Sequence, residues 1–251
     1  MLSEVLTDIL AHTHGLGFIE MMKIESDKQE TKVAAIDESK SVVVYGKLKA
    51  PLTELEGTVG LSRMAVLQGY LKYPHFNADG SSIDITTVQR DGADIPAEIT
   101  FKSTSGHESS YRFMHKDVVE EQVKVPSFNG ASWDVVITAT DEIMKDLSYF
   151  KGVLGSFEPT FIAKTTNDTS NDLNFYIGSG ATDRATVPIA KGVSGSLSGN
   201  LTWPLVQTLA ILKLASKADD CTLSFSNKGV LKIEMETSVG TYEYLLPARA
   251  K

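Results

Sequence analysis

Apolar positions recur at helical spacing in four short stretches and alternate with polar ones through much of the remaining chain. Leu2, Val5, Leu6, Ile9 and Leu10 form one stripe, which predicts a helix over 3–12. Met64, Leu67, Tyr70 and Leu71 predict a second over 61–73. A third follows Thr140, an N-cap residue with Asp141 and Glu142 in the first turn, where the helix dipole favours acids. Its core face is Ile143, Leu147, Phe150 and Leu154. The fourth is read over 203–217, with Thr202 as N-cap and Pro204 in the first turn, where a proline forfeits no hydrogen bond. It is apolar nearly all round, which predicts deep burial. Strand patterns cover 17–25, 32–37, 41–48, 82–88, 98–103, 109–114, 133–138, 160–164, 173–177, 221–226, 230–236 and 241–246, separated by polar and glycine-containing turns.

The order of these elements repeats: early helix, strands, second helix, closing meander. The meanders resemble each other in residues as well. EITFKSTSG (98–106) followed by SYRFM (110–114) matches KIEMETSVG (232–240) followed by TYEYL (241–245). The offset from Gly106 to Gly240 is 134 residues, about half the chain, too long for a solenoid repeat and suited to two copies of one domain. Between the halves, 115–132 carries Asp117, Glu120, Glu121, four valines and Pro126, a linker composition in which the proline breaks regular structure. The pattern therefore predicts an α+β fold of two similar domains, 1–115 and 133–251, joined by a linker over 116–132.

Composition narrows the function. The 251 residues carry 24 Lys+Arg against 32 Asp+Glu, a net charge of −8, with 42% hydrophobic and 22% charged residues. That is an ordinary globular composition, and its acidity argues against simple adsorption to nucleic acid. No apolar run reaches the ~18 residues of a membrane span. The first ten residues hold acids where a secretory signal carries Lys or Arg, so a cytoplasmic location is expected, the host's cytoplasm if the source is a virus. One cysteine, Cys221, allows neither an internal disulfide nor a cysteine zinc site.

Catalytic patterns fail one by one. Gly46-Lys47 is followed by Leu48, not the Ser or Thr of a phosphate-binding loop. The glycines at 192, 195 and 199 lack dinucleotide-binding spacing. His12 and His14 point to different sides of a helix, and the other histidines fall in loops or at a strand end. The expectation is no enzyme, no catalytic residue, no cofactor and no metal.

The helix faces turned away from the core say more. Ser62, Ala65, Gln68, Gly69 and Lys72 share one face of the second helix; Lys145, Ser148 and Gly152 share one on the third; Lys213 and Lys217 sit a turn apart on the fourth. The second helix, with Arg63 and Lys72 and no acid, is +2 in an acidic protein. Small residues interleaved with Lys suit close approach to a phosphate backbone without base reading. The first helix differs, presenting Glu4, Thr7, Asp8 and Ala11.

GVLKIEME (229–236), the turn at Gly240 and YEYLLPA (242–248) resemble the closing hairpin of the DNA polymerase sliding clamps, the family of proliferating cell nuclear antigen and the clamps of tailed phages. Residues 145–154 and 203–217 resemble the two helices of that family's second domain, and the layout is similar along the whole chain, closer to the phage type. The resemblance implies a ring-forming α+β protein of two clamp domains per chain, with antiparallel sheets outside and two helices per domain lining a central channel. It would encircle duplex DNA without sequence preference and tether the replicative DNA polymerase after loading by an ATP-driven clamp loader. A homotrimer would place twelve helices in a circle; at roughly 8–10 Å between packed axes, the hole admits a duplex. Arg63, Gln68, Lys72, Lys145, Ser148, Lys213 and Lys217 would face DNA. Ring closure would pair 109–114 with 182–189 of the next chain, Tyr111 and Phe113 meeting Val187 and Ile189. Val118, Val119, Val123, Val125, Leu245, Leu246 and Pro247 would form a pocket for a partner peptide. A β-rich, self-associating phage structural protein is the alternative reading.

Overall fold

The computed structural model describes residues 2–90 and 92–250, with the side chains of Lys217 and Ala250 outside the description. It resolves two compact units. The first takes the chain to Glu38, then Val44–Pro126 and Val239–Tyr242; the second takes Ser39–Val43, Ser127–Ser238 and the chain from Glu243.

In the first unit, α1 (Leu2–Ala11) precedes β1 (Met22–Ser26), β2 (Thr31–Ile36), β3 (Val43–Leu48) and β4 (Gly57–Leu61), which lie in the order β4-β1-β2-β3. Then come α2 (Met64–Lys72), the antiparallel meander β5 (Ser82–Arg90), β6 (Ala93–Lys102) and β7 (Glu108–Arg112), and α3 (Lys116–Gln122). The second unit opens with β8 (Val135–Thr138) and α4 (Asp141–Leu154). β9 (Thr160–Thr165), β10 (Leu173–Ile177), β11 (Ala185–Ala190) and β12 (Ser198–Pro204) follow, in the order β12-β9-β10-β11, with β16 (Arg249–Ala250) outside β12. After α5 (Leu205–Leu212), β13 (Asp220–Ser226), β14 (Val230–Glu236) and β15 (Gly240–Pro247) form the second meander, with β8 beside β13. Each unit thus runs helix, four strands ordered fourth-first-second-third, helix, three-stranded meander. The fold is α+β, with two similar domains and antiparallel sheets.

Each core follows from the alternation. In β1 and β2, Met22, Ile24, Val33 and Ala35 turn inward, and Leu6, Ile9 and Leu10 of α1 and Met64 and Leu67 of α2 are likewise buried. In the second unit, aromatic rings do the same work. Phe161 stacks on Phe175 at 4.4 Å between centroids, and Trp203 meets Phe225 edge-on at 5.5 Å.

Four local expectations change. The segment 203–217 is not one helix: Thr202 and Trp203 pair with Ile162 and Phe161 in β12, and α5 starts at Leu205. The cause is Pro204, whose ring pushes the residue before it into extended conformation, so Trp203 cannot join the helix. α5 ends at Leu212, followed by a separate 3₁₀ turn over Ala215–Lys217. Leu61 closes β4, and Arg63 breaks the chain at φ 50° before α2 starts at Met64. The segment 17–25 holds a strand only from Met22. Finally, the stretch read as an irregular linker opens with α3, whose N-cap His115 accepts a bond from Asp117 N through Nδ1 at 3.4 Å.

Candidate nucleic-acid interface

The helices pack in pairs, α1 with α2 and α4 with α5, one pair in each unit. On α2, Met64, Leu67 and Leu71 are buried, which turns Ala65, Val66, Gly69 and Lys72 to solvent, with Gln68 half-buried and Arg63 exposed just before the helix. α4 is held by its cap, Thr140 Oγ1 accepting from Ile143 N at 3.3 Å, as its sequence predicts. Ile143, Leu147 and Leu154 are buried, leaving Lys145, Ser148 and Gly152 exposed. α5 carries no charged side chain, and five of its eight residues are buried. Lys213 is exposed but follows the last helical residue, and Lys217 lies in the 3₁₀ turn with its side chain outside the description. The two lysines therefore do not share an α-helical face. On α1, Glu4 and Thr7 are exposed while Asp8 and Ala11 are half-buried.

The expected edge strands are both edges. β7 is the outer strand of the β5-β6-β7 sheet, and β11 is the outer strand of the β11-β10-β9-β12-β16 sheet. Their apolar residues divide differently from expectation. Tyr111 and Val187 are buried in their own chain, the Tyr111 hydroxyl donating to Ser62 O and its pKa pushed up to about 12 by burial. Phe113 and Ile189 keep partial exposure.

The residues expected to form a peptide pocket divide by burial. Val119, Val123, Leu245 and Leu246 are buried core residues. Val119 packs so closely on Gly60 that a Cβ there would stand 2.7 Å from it. Alternation marks such residues as apolar; only packing decides that they face inward. Val118 and Pro247 are exposed, and Val125 is half-buried. Pro247 borders a surface cavity of about 260 Å³ in the second unit, with Ser39–Ser41, Pro159, Pro204, Gln207 and Arg249 around it. The sequence offered no periodic signal for this cavity, because loops and strand ends from distant positions build it. A second cavity, of about 520 Å³, lies in the first unit beside α2.

Cys221 is buried, with its thiol pushed up to about 12 by desolvation. Among the described residues, no group of three or more His, Cys, Asp or Glu side chains is placed to hold a metal, and no helix is long and apolar enough to cross a membrane.

No family model matches the sequence, and no curated protein does. Solved structures do match. The proliferating cellular nuclear antigen of Entamoeba histolytica aligns over 99% of this chain and 95% of its own, with a TM-score of 0.64 and 11% identity. A chain of the PCNA2–PCNA3 complex of Sulfolobus tokodaii aligns over 99% and 96%, with a TM-score of 0.66 and 13% identity. The chain has the fold of these proteins along nearly its whole length.

Proposed function

We propose that this chain is a sliding clamp of the phage type, a homotrimeric ring that encircles duplex DNA and tethers the replicative DNA polymerase. One observation carries the reading: a duplicated unit with the fold of proliferating cell nuclear antigen exposes Lys72 and Lys145 on equivalent helix pairs, in a chain whose net charge is −8.

In this reading Arg63, Gln68, Lys72, Lys145, Ser148 and Lys213 face the phosphate backbone. Few cations suffice, because topology retains the DNA while weak contacts leave sliding fast. The acidic remainder of each chain repels DNA from the outside of the ring. Ring closure joins β7 of one chain to β11 of the next, since unpaired edge strands invite pairing and one edge of each kind per chain makes a head-to-tail contact that closes. The backbone ladder carries this contact, aided by Phe113 and Ile189. The cavity at Pro247 takes a short peptide of the polymerase or of an ATP-driven loader.

Two measurements test this. Light scattering after gel filtration should give about 82 kDa, three chains of 27.2 kDa. Extension of a singly primed circular template by a cognate polymerase and loader should become processive only when the protein is added. A monomer at all concentrations, or extension indifferent to the protein, would overturn the reading.

A further inference from the structure

Two histidines far apart in the chain meet on the surface of the first unit. His75 stands in the 3₁₀ turn Pro74–Phe76 that follows α2, and His107 in the turn between β6 and β7. Both are exposed, and their rings lie 4.6 Å apart between centroids with 31° between planes. Each aims Nδ1 at the same atom, the hydroxyl oxygen of Ser105, which is 3.2 Å from His75 and 3.0 Å from His107. We propose that this point is a binding site for a divalent transition metal, with the two Nδ1 atoms as its protein ligands and water in the remaining positions, a site independent of the ring reading.

Imidazole suits zinc, nickel and copper(II), whereas magnesium and calcium take oxygen ligands. A zinc–imidazole bond is about 2.0–2.1 Å long, so an ion at the shared point needs each nitrogen to advance by roughly 1 Å. Rotation of two exposed side chains supplies that movement, and the Ser105 hydroxyl, exposed as well, swings aside. Between neutral rings this hydroxyl donates to one Nδ1 and accepts from the other, which holds the rings in opposite tautomers. Ser103 Oγ adds only a long contact to His107 Nδ1, at 3.4 Å. To bind an ion, the ring that carries its hydrogen on Nδ1 passes it through water to Nε2, with no net loss of a proton. Both lone pairs then serve the metal.

The backbone beneath the pair is fixed. Phe76 is buried and packs on Phe101 with 5.4 Å between ring centroids, which seats the 3₁₀ turn against β6. Asn77 Nδ2 donates to Leu71 O at 2.7 Å and to Tyr73 O at 3.1 Å, tying that turn to the end of α2. In the other turn, Ser103 N donates to His107 O and His107 N donates to Ser103 Oγ, each at 2.9 Å. Tyr73 touches both imidazoles, at 5.2 and 5.6 Å between centroids. Binding therefore orders little beyond the two side chains. Charge does not oppose a cation, since Lys72 and Lys102 beside the two turns are matched by Asp79 and Glu108. Two protein ligands are fewer than the three or four of a resident zinc, so the ion binds reversibly and, when present, ties the end of α2 to the β6–β7 turn.

Calorimetric titration of the untagged full chain, stripped with a chelator and dialysed, tests this. One Zn²⁺ per chain is expected, with Ni²⁺ also binding and Mg²⁺ not. His75→Gln and His107→Gln should each weaken Zn²⁺ binding by at least about tenfold. His115→Gln is the control: its ring lies 3.2 Å from Asp117 Oδ2, and its loss should leave Zn²⁺ binding unchanged. Zn²⁺ should raise the melting temperature of the unaltered chain and not that of His75→Gln. Ser105→Ala should bind at least as tightly as the unaltered chain, because the ion replaces that hydroxyl; weaker binding would overturn the placement at Nδ1. No uptake of Zn²⁺, equal uptake in the His75 and His107 variants, equal loss in the control, or one ion to two chains would overturn the site.

Discussion

The imidazole of His12 lies flat on the phenol ring of Tyr242, with 4.0 Å between centroids and 3° between planes. Both are buried, and the Tyr242 hydroxyl donates to Asp8 Oδ2 at 2.7 Å. Desolvation lowers the His12 pKa from 6.5 to about 4, with Asp8 opposing the shift. The native state therefore takes up this proton only near pH 4, while the unfolded chain takes it up near 6.5. Stability from this group is complete above pH 6.5 and is lost as the pH falls toward 4, by on the order of 3 kcal/mol. Urea unfolding at pH 7.5, 5.5 and 4.5 should show the decline, and His12→Gln should flatten that part of it. An unchanged slope in the variant would exclude His12 as the cause.

Leu246 and Pro247 are neighbours with opposite exposures. Leu246 is fully buried, so Leu246→Asp places an unpaired carboxylate in the core and should cost more than about 3 kcal/mol, seen as loss of the folded protein. Pro247→Glu lies at the cavity rim and should cost under about 1 kcal/mol. It should weaken polymerase stimulation while leaving the trimer intact. Full stimulation by that variant would move the peptide site elsewhere.

Two glycines on either side of Arg63 should respond oppositely to alanine. At Gly60, a Cβ would stand 2.7 Å from Val119 and 3.0 Å from Met114, so overpacking should cost about 1–3 kcal/mol. At Gly69, nothing lies within 4 Å, so alanine should stabilise the isolated chain by about 0.5–1 kcal/mol through helix propensity. Thermal melts of the dilute protein, compared at equal concentration, check both signs.

Lys72 and Lys145 are exposed, and neither supports a core. Lys72→Ala with Lys145→Ala should leave melting temperature and assembly unchanged. If both face phosphates, the double variant should lower the salt dependence of DNA association by about one unit of slope per lysine. Binding curves at several salt concentrations distinguish this from an unchanged slope.

Local chemistry made much of the architecture legible from the chain alone. The strands at 173–177 and 230–236 and the Thr140 cap appear where alternation and capping chemistry set them, because those signals act over a few residues. The repeated meander was visible for the same reason. Other features depended on distant neighbours. β4 carries two glycines in five residues, a turn-like composition, and becomes a strand because β1 supplies its hydrogen bonds. α3 forms where Val119 finds Gly60. Tyr111, Val187, Val119 and Leu246 all read as apolar residues able to serve either a core or a contact surface, and periodicity cannot choose between those roles. Tertiary packing chose, since burial is a property of the surface that arrives opposite a side chain, and that surface comes from residues far away in the sequence.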